Sequence, residues 1–179
     1  MKNLRILPLS LALIFLFGCS LIDKIKGLEE IDFDIELFKS IPVAVAADDP
    51  NTISETFTID AKTNQDVKDY LNEVTEYDIW NIFVDFTNYV GEKGIVFEGT
   101  IKIGPSTADF TGMNAIVPSD YADNGGIIYL DLNQTALDAI NAALIAGHKL
   151  DCSINGTVSD KPVSFTINIY VQGTVYAEI

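Results

Sequence analysis

"LDCSINGTV" (Leu150–Val158), "SDKP" (159–162) and "VSFTINIYV" (Val163–Val171) follow one another near the end of the chain. In the first run Leu150, Cys152, Ile154 and Val158 share one phase of a period of two. In the second, Val163, Phe165, Ile167, Ile169 and Val171 do the same, with Ser164, Thr166, Asn168 and Tyr170 between them. Alternation of that length marks strands with one buried face, and a short polar connection carrying a proline predicts an antiparallel hairpin. The phase assigns Phe165 to the core and makes Cys152 a small buried hydrophobe rather than a nucleophile.

The same period recurs upstream. It appears in "IDFDIELF" (31–38), "SIPVAVA" (40–46), "TFTID" (56–60), "IWNIFVDFTNYV" (79–90), "IVFEGTIKI" (95–103) and "IIYLDL" (127–132), separated by the turn signals "ADDPN", "GEKG" and "ADNGG". Seven or more alternating strands joined by short polar turns predict a mainly β protein, an antiparallel two-sheet β-sandwich. Two segments switch to a helical period and predict short helices in the connections. In "TNQDVKDYLNEV" (63–74), Val67, Tyr70, Leu71 and Val74 share a face, and Thr63 and Asp66 are spaced as a capping box. In "TALDAINAALIAG" (135–147), Thr135 and Asp138 can cap the start, Leu137, Ile140 and Leu144 share a face, and Gly147 can end the helix in a left-handed turn. A sandwich with helical connections resembles, in outline, the immunoglobulin-like domains of secreted and envelope proteins. Trp80 stands without the pair of cysteines that flanks the core tryptophan of antibody-type domains.

Ahead of the strands the chain opens with the cations Lys2 and Arg5 and an apolar run from Leu9 to Phe17 interrupted only by Ser10. That is the pattern of a secretory signal, too short to span a bilayer permanently. Its end, Leu16-Phe17-Gly18-Cys19, resembles the lipobox of bacterial lipoproteins. The resemblance implies cleavage before Cys19, where small Gly18 admits the peptidase, and a diacylglycerol on the Cys19 thiol. Residues 1–18 are then a lipoprotein signal peptide, 19–30 a lipidated tether and 31–179 the sandwich domain. The protein is expected in the bacterial envelope, held by lipid to a membrane (the outer membrane is the expected one) and facing the periplasm or the cell surface.

Composition narrows the partners. The chain carries 11 Lys and Arg against 26 Asp and Glu, and only cations precede Cys19, so the mature form has a net charge of −17. Such a chain repels a phosphate backbone, which argues against nucleic acid, and lacks a polybasic attachment to anionic lipid. The two cysteines are Cys19 and Cys152; with the first acylated, no intramolecular disulfide can form and the core must supply the stability.

Catalytic patterns are absent from the sequence. The one histidine, His148, follows Gly147 at a predicted helix end, where a cation meets the helix dipole. No spacing of His, Cys or carboxylates suggests a metal or cofactor, and the oxygen-rich turns "AADDPN" and "PSDYADNGG" do not follow the calcium-loop order. The expectation is therefore a non-catalytic binding or scaffolding module for an envelope protein or a glycan. A hydrolase acting on carbohydrate or another substrate through paired carboxylates is the alternative.

Two groups are the candidate contact residues. Asp120, Tyr121, Asp123 and Asn124 lie about the "ADNGG" turn, where a tyrosine among acids and an amide suits a sugar. Phe83 and Tyr89 belong to "IWNIFVDFTNYV", which is apolar on both faces: Trp80, Ile82, Val84 and Phe86 suit the core, yet Ile79, Phe83 and Tyr89 fall in the opposite phase. A strand with a solvated face should not read that way, so either the helix carrying Val67, Tyr70 and Leu71 covers the second face, or a partner does.

Overall fold

The computed structural model describes residues 30–109 and 116–179; the signal segment, Cys19 and the tether as far as residue 29 lie outside the described residues. Among these residues eight strands form in chain order: β1 (Glu30–Val45), β2 (Thr52–Asp60), β3 (Val74–Gly91), β4 (Phe97–Ile103), β5 (Ser106–Asp109), β6 (Ile127–Tyr129), β7 (Lys149–Val158) and β8 (Val163–Glu178). Among the described residues there are three α-helices, α1 (Gln65–Asp69), α2 (Pro118–Asn124) and α3 (Gln134–Gly147), and a 3-10 turn at Ala61–Thr63. One four-stranded sheet runs β1-β8-β3-β6 and the other β2-β7-β4-β5, and all the pairings are antiparallel.

The two-sheet antiparallel sandwich is thus the architecture that alternation predicts. Its strand order is that of a jelly roll, in which successive strands mostly change sheet. Alternation assigns side chains to faces but names no neighbours, so the immunoglobulin resemblance goes no further than the two layers. For the same reason "SDKP" does not close a hairpin: β7 pairs with β2 and β4, while β8 pairs with β1 and β3. Both strands bury one full face, which an arch between sheets satisfies as well as a hairpin does. Of the consecutive strands it is β4 and β5 that pair directly, about Gly104 and Pro105. "IDFDIELF" and "SIPVAVA" merge into the single 16-residue β1.

The core lies between the sheets. Phe86, Phe97 and Phe165 form a triangle at its centre, with ring centroids 5.8 to 6.4 Å apart. Cys152 is buried with its Sγ 3.4 Å from the Leu150 carbonyl, and burial holds its thiol pKa above the ordinary range. Gly99 and Gly156 face each other across β4 and β7; a Cβ at Gly156 would stand 2.4 Å from the Glu98 carbonyl oxygen and 2.6 Å from the Phe97 ring. The bare glycines leave room for that ring.

The helix caps shift by one or two residues from those expected. Asn64, not Thr63, caps α1 by accepting from the Val67 N–H, and Asn133, not Thr135, caps α3 by accepting from the Ala136 N–H. Asn competes well for that position because its short side chain reaches the second or third amide. At the far end of α3 it is His148, φ 55°, rather than Gly147 that takes the left-handed conformation. α2 is a helix where a turn was expected; Pro118 at its first position and Gly125 in the left-handed conformation bound it.

β3 departs most from simple alternation. Its register against β8 passes from Ile79↔Gly173 to Asn81↔Gln172, so Trp80 is an extra residue in a β-bulge. Gly173 permits this, since a Cβ there would stand 2.6 Å from the Asp78 carbonyl oxygen and from Ile79 Cδ1. The bulge reverses the phase: Tyr77 and Ile79 are buried below it, and Ile82, Val84 and Phe86 above it. Trp80 is therefore not a core residue and is 52% exposed. A second bulge between Thr87 and Val90 turns the strand again, with Asn88 at φ 52°.

Candidate functional site

The second bulge separates the residues that the sequence grouped. Tyr89 packs against the core and its hydroxyl donates to the Glu92 carbonyl, and burial followed by the Glu92 charge raises its pKa. Phe83 instead faces away from the core, on the outer surface of the β1-β8-β3-β6 sheet. The helix expected to cover that surface does not do so. α1 buries Val67, and Tyr70 just beyond it meets Phe33 of β1 at 5.8 Å. Five residues make too short a helix to lie along a sheet face.

The "ADNGG" group has structural partners instead. Tyr121 turns inward onto Phe86, centroids 5.8 Å apart. Asp123 pairs with Lys93 at 2.6 Å, and Asn124 Nδ2 donates to the Asp120 carbonyl at 2.7 Å. On α2, Tyr121 therefore lies on the face toward β3, and the acids lie on the exposed side.

What gathers around Phe83 comes from other strands. Register places Phe38 of β1 opposite Tyr170 of β8, Tyr170 opposite Phe83 of β3, and Phe83 opposite Tyr129 of β6. Four aromatic rings thus form one row across the whole sheet. Phe83 and Tyr170 are stacked, with centroids 4.7 Å apart and planes within 10°. Phe38 adjoins Tyr170 at 5.0 Å and Tyr129 adjoins Phe83 at 5.8 Å, turned by 46° and 54°. The central pair shields itself, while Phe38 and Tyr129 are 51% and 56% exposed. Ile127 lies two residues before Tyr129 and opposite Asp85, and extends the exposed apolar surface.

Polar rows border the rings on both sides. On one side Asn168 Nδ2 donates to Asp85 Oδ1 at 2.6 Å and to Thr87 Oγ1 at 3.1 Å, and the Tyr170 hydroxyl donates to Asp85 Oδ2 at 3.3 Å. On the other, Asn81 Nδ2 donates to Gln172 Oε1 at 3.1 Å, and Gln172 Nε2 donates to Glu36 Oε2 at 2.8 Å. One row further, Thr174 Oγ1 donates to Asp34 Oδ1 at 2.9 Å. These carboxylates are held by amides and hydroxyls rather than by cations, so their charge is not neutralised. Two tyrosines register the field: desolvation and then the charge and hydrogen bond of Asp85, with Glu36, raise the Tyr170 pKa. Desolvation, then Asp78, Asp32, Glu76 and Glu30, raise that of Tyr176.

The opposite outer face differs. β2, β4 and β7 turn out Thr56, Thr58, Lys102, Asp151 and Ser153 around a shallow groove whose lining also takes in Cys152 and Phe57, the latter packed against the core.

His148 Nδ1 shares a 2.9 Å hydrogen bond with the hydroxyl of buried Tyr77, whose pKa is pushed up to about 12 by burial and then by Asp60. Desolvation and then Lys62 lower the His148 pKa, partly offset by Asp60. The shift favours the neutral form of the imidazole. Among the described residues no group of three or more His, Cys, Asp or Glu is placed to hold a metal ion.

The chain is thus a jelly-roll sandwich with one aromatic, acidic face. No protein-family model matches it, and no curated protein does. Among solved structures, the crystal structure of the decameric BFDV capsid protein is similar at 9% identity, over 81% of this chain and 99% of that one, with a TM-score of 0.42. Desmodium yellow mottle tymovirus is similar at 11% identity, over 84% and 87%, with a TM-score of 0.37. Likenesses at these scores carry no functional argument.

Proposed function

We propose that the protein is a lipid-anchored lipoprotein of the bacterial envelope whose sandwich is a non-catalytic binding module, with the outer face of the β1-β8-β3-β6 sheet as its contact surface. The observation that supports this most is the exposed aromatic row Phe38–Tyr170–Phe83–Tyr129. Large rings left in water on a monomer mark an interaction surface, because their burial is worth more than that of most surface side chains. Their satisfied polar border suits recognition, since the groups are already oriented by one another before a partner arrives. The lipobox reading supplies the address: lipid on Cys19 tethers Glu30, where β1 begins, within about 37 Å of the bilayer over 11 residues of extended chain.

The test is photo-crosslinking in bacterial cells from a reactive side chain placed at Tyr129 or, as the comparison, at Thr56 on the other outer face, each in the native and the Cys19→Ala chain. Discrete adducts from position 129, absent from position 56 and lost when Cys19 is replaced, are expected. Equal labelling from both faces would refute the assignment of the surface. Undiminished adducts and aqueous partitioning of both chains in detergent would refute the anchor.

A further inference from the structure

We infer that the occupant of this face is a basic polypeptide segment, one whose Lys and Arg side chains lie against Phe38 and Tyr129 and pair with the carboxylates bordering the row. The inference rests on the binding-module reading above and adds the partner's chemistry. Its basis is charge. The outer surface of the sheet carries Asp32, Asp34 and Glu36 on β1 and Glu76, Asp78 and Asp85 on β3. Among the described residues no Lys or Arg stands on that surface: Lys39 of β1 falls in the opposite phase, and Lys62, Lys68 and Lys93 lie in turns or on α1.

The hydrogen bonds within the rows satisfy geometry without removing charge. Asp34, Glu36 and Asp85 each accept from a neutral group. A second copy of the same face would set like charges opposite one another, and an anionic lipid surface would be repelled. A neutral glycan would leave the carboxylates uncompensated. A cation answers both features at once, because an ammonium or guanidinium is attracted to an aromatic ring and to a carboxylate.

Trp80 reports the event. It is the one tryptophan of the chain, is half exposed, and adjoins Asn81 of the lower polar row. The experiment titrates the full-length protein, in neutral-lipid vesicles, with an unstructured peptide rich in Lys and Arg while following Trp80 emission, and in parallel with a neutral oligosaccharide. Saturable binding of the peptide is expected, weakening as salt is raised. The doubly exposed variant Phe38→Ala/Tyr129→Ala should bind about tenfold more weakly, as should Asp85→Asn/Glu36→Gln.

A control with the charge removed elsewhere, Asp48→Asn/Asp49→Asn in the exposed loop after β1, should bind as the native chain does. Equal weakening by the control, or indifference to loss of the rings, would overturn the proposal by reducing it to bulk charge attraction. Absence of peptide binding would overturn it as well. Binding of the oligosaccharide alone, lost in the ring variant, would overturn the basic partner and leave the face as a binding surface. Failure of the crosslinking test above would instead remove the face itself.

Discussion

Replacing Phe165 by Ala tests the packing on which every other feature rests. Phe165 is 2% exposed, and its ring lies 5.8 Å from that of Phe86 and 6.0 Å from that of Phe97. Truncating a buried Phe to Ala costs about 3 to 5 kcal/mol in lost transfer energy and residual cavity. Each aromatic pairing adds roughly 0.5 to 1.5 kcal/mol beyond area, and two are lost here, so the upper end is expected. β8 pairs with β1 on one side and β3 on the other, which restrains the backbone from closing the void. For a domain of this size the loss lowers Tm by about 10 °C or more. Urea denaturation followed by circular dichroism should show an earlier midpoint with unchanged slope. Phe165→Leu should recover most of the loss. A change within about 0.5 kcal/mol would place the side chain on the surface and refute the phase of β8.

Gly156→Ala should destabilise by about 3 kcal/mol or more, read by the same denaturation, because its Cβ meets the Glu98 carbonyl and the Phe97 ring, and a backbone atom cannot turn aside. An unchanged midpoint would mean β4 and β7 are not in that register. Stability should fall as pH drops from about 7 through the lowered His148 pKa: a depressed histidine is protonated more readily in the unfolded chain, so its contribution is complete above about 6.5 and is lost below the folded value. His148→Asn, which tolerates φ 55°, should flatten that segment of the stability profile, and an unaltered profile would assign it to another group. Lys93→Ala should leave the denaturation midpoint almost unchanged although its Nζ is 2.6 Å from Asp123, since both ends are in water. A larger loss would show that the pair anchors α2.

The faces of the strands were legible where alternation ran unbroken. In β8 every second residue from Val163 to Val171 is buried, and Phe165 could be placed from spacing alone. Which strands are neighbours was not legible, since arches and hairpins both need only a short polar turn, and β7 and β8 lie in different sheets. Trp80 was misplaced because a bulge adds one residue without any change in hydropathy, and its cause, the missing side chain at Gly173, lies 93 residues away on β8. Phe83 stood out because it was apolar in a phase that should have been polar. Its companions Phe38, Tyr129 and Tyr170 carry no such signal, because each is ordinary in its own strand and only the register of four strands joins them. Tyr121 looked like a loop ring because Asp and Asn suggest turns, whereas Pro118 and Gly125 are the signals that bound a helix there.

The proposed contact face requires Phe83 to look outward while Ile82, Val84 and Phe86 fill the core above the bulge at Trp80. Proton NMR on the aromatic side chains tests this directly. Nuclear Overhauser contacts are expected from Phe38 to Tyr170, from Tyr170 to Phe83 and from Phe83 to Tyr129, with none from Phe83 to the core rings of Phe86 or Phe165. Contacts between Phe83 and the core ring of Phe165 would place Phe83 between the sheets, and the aromatic row would not exist.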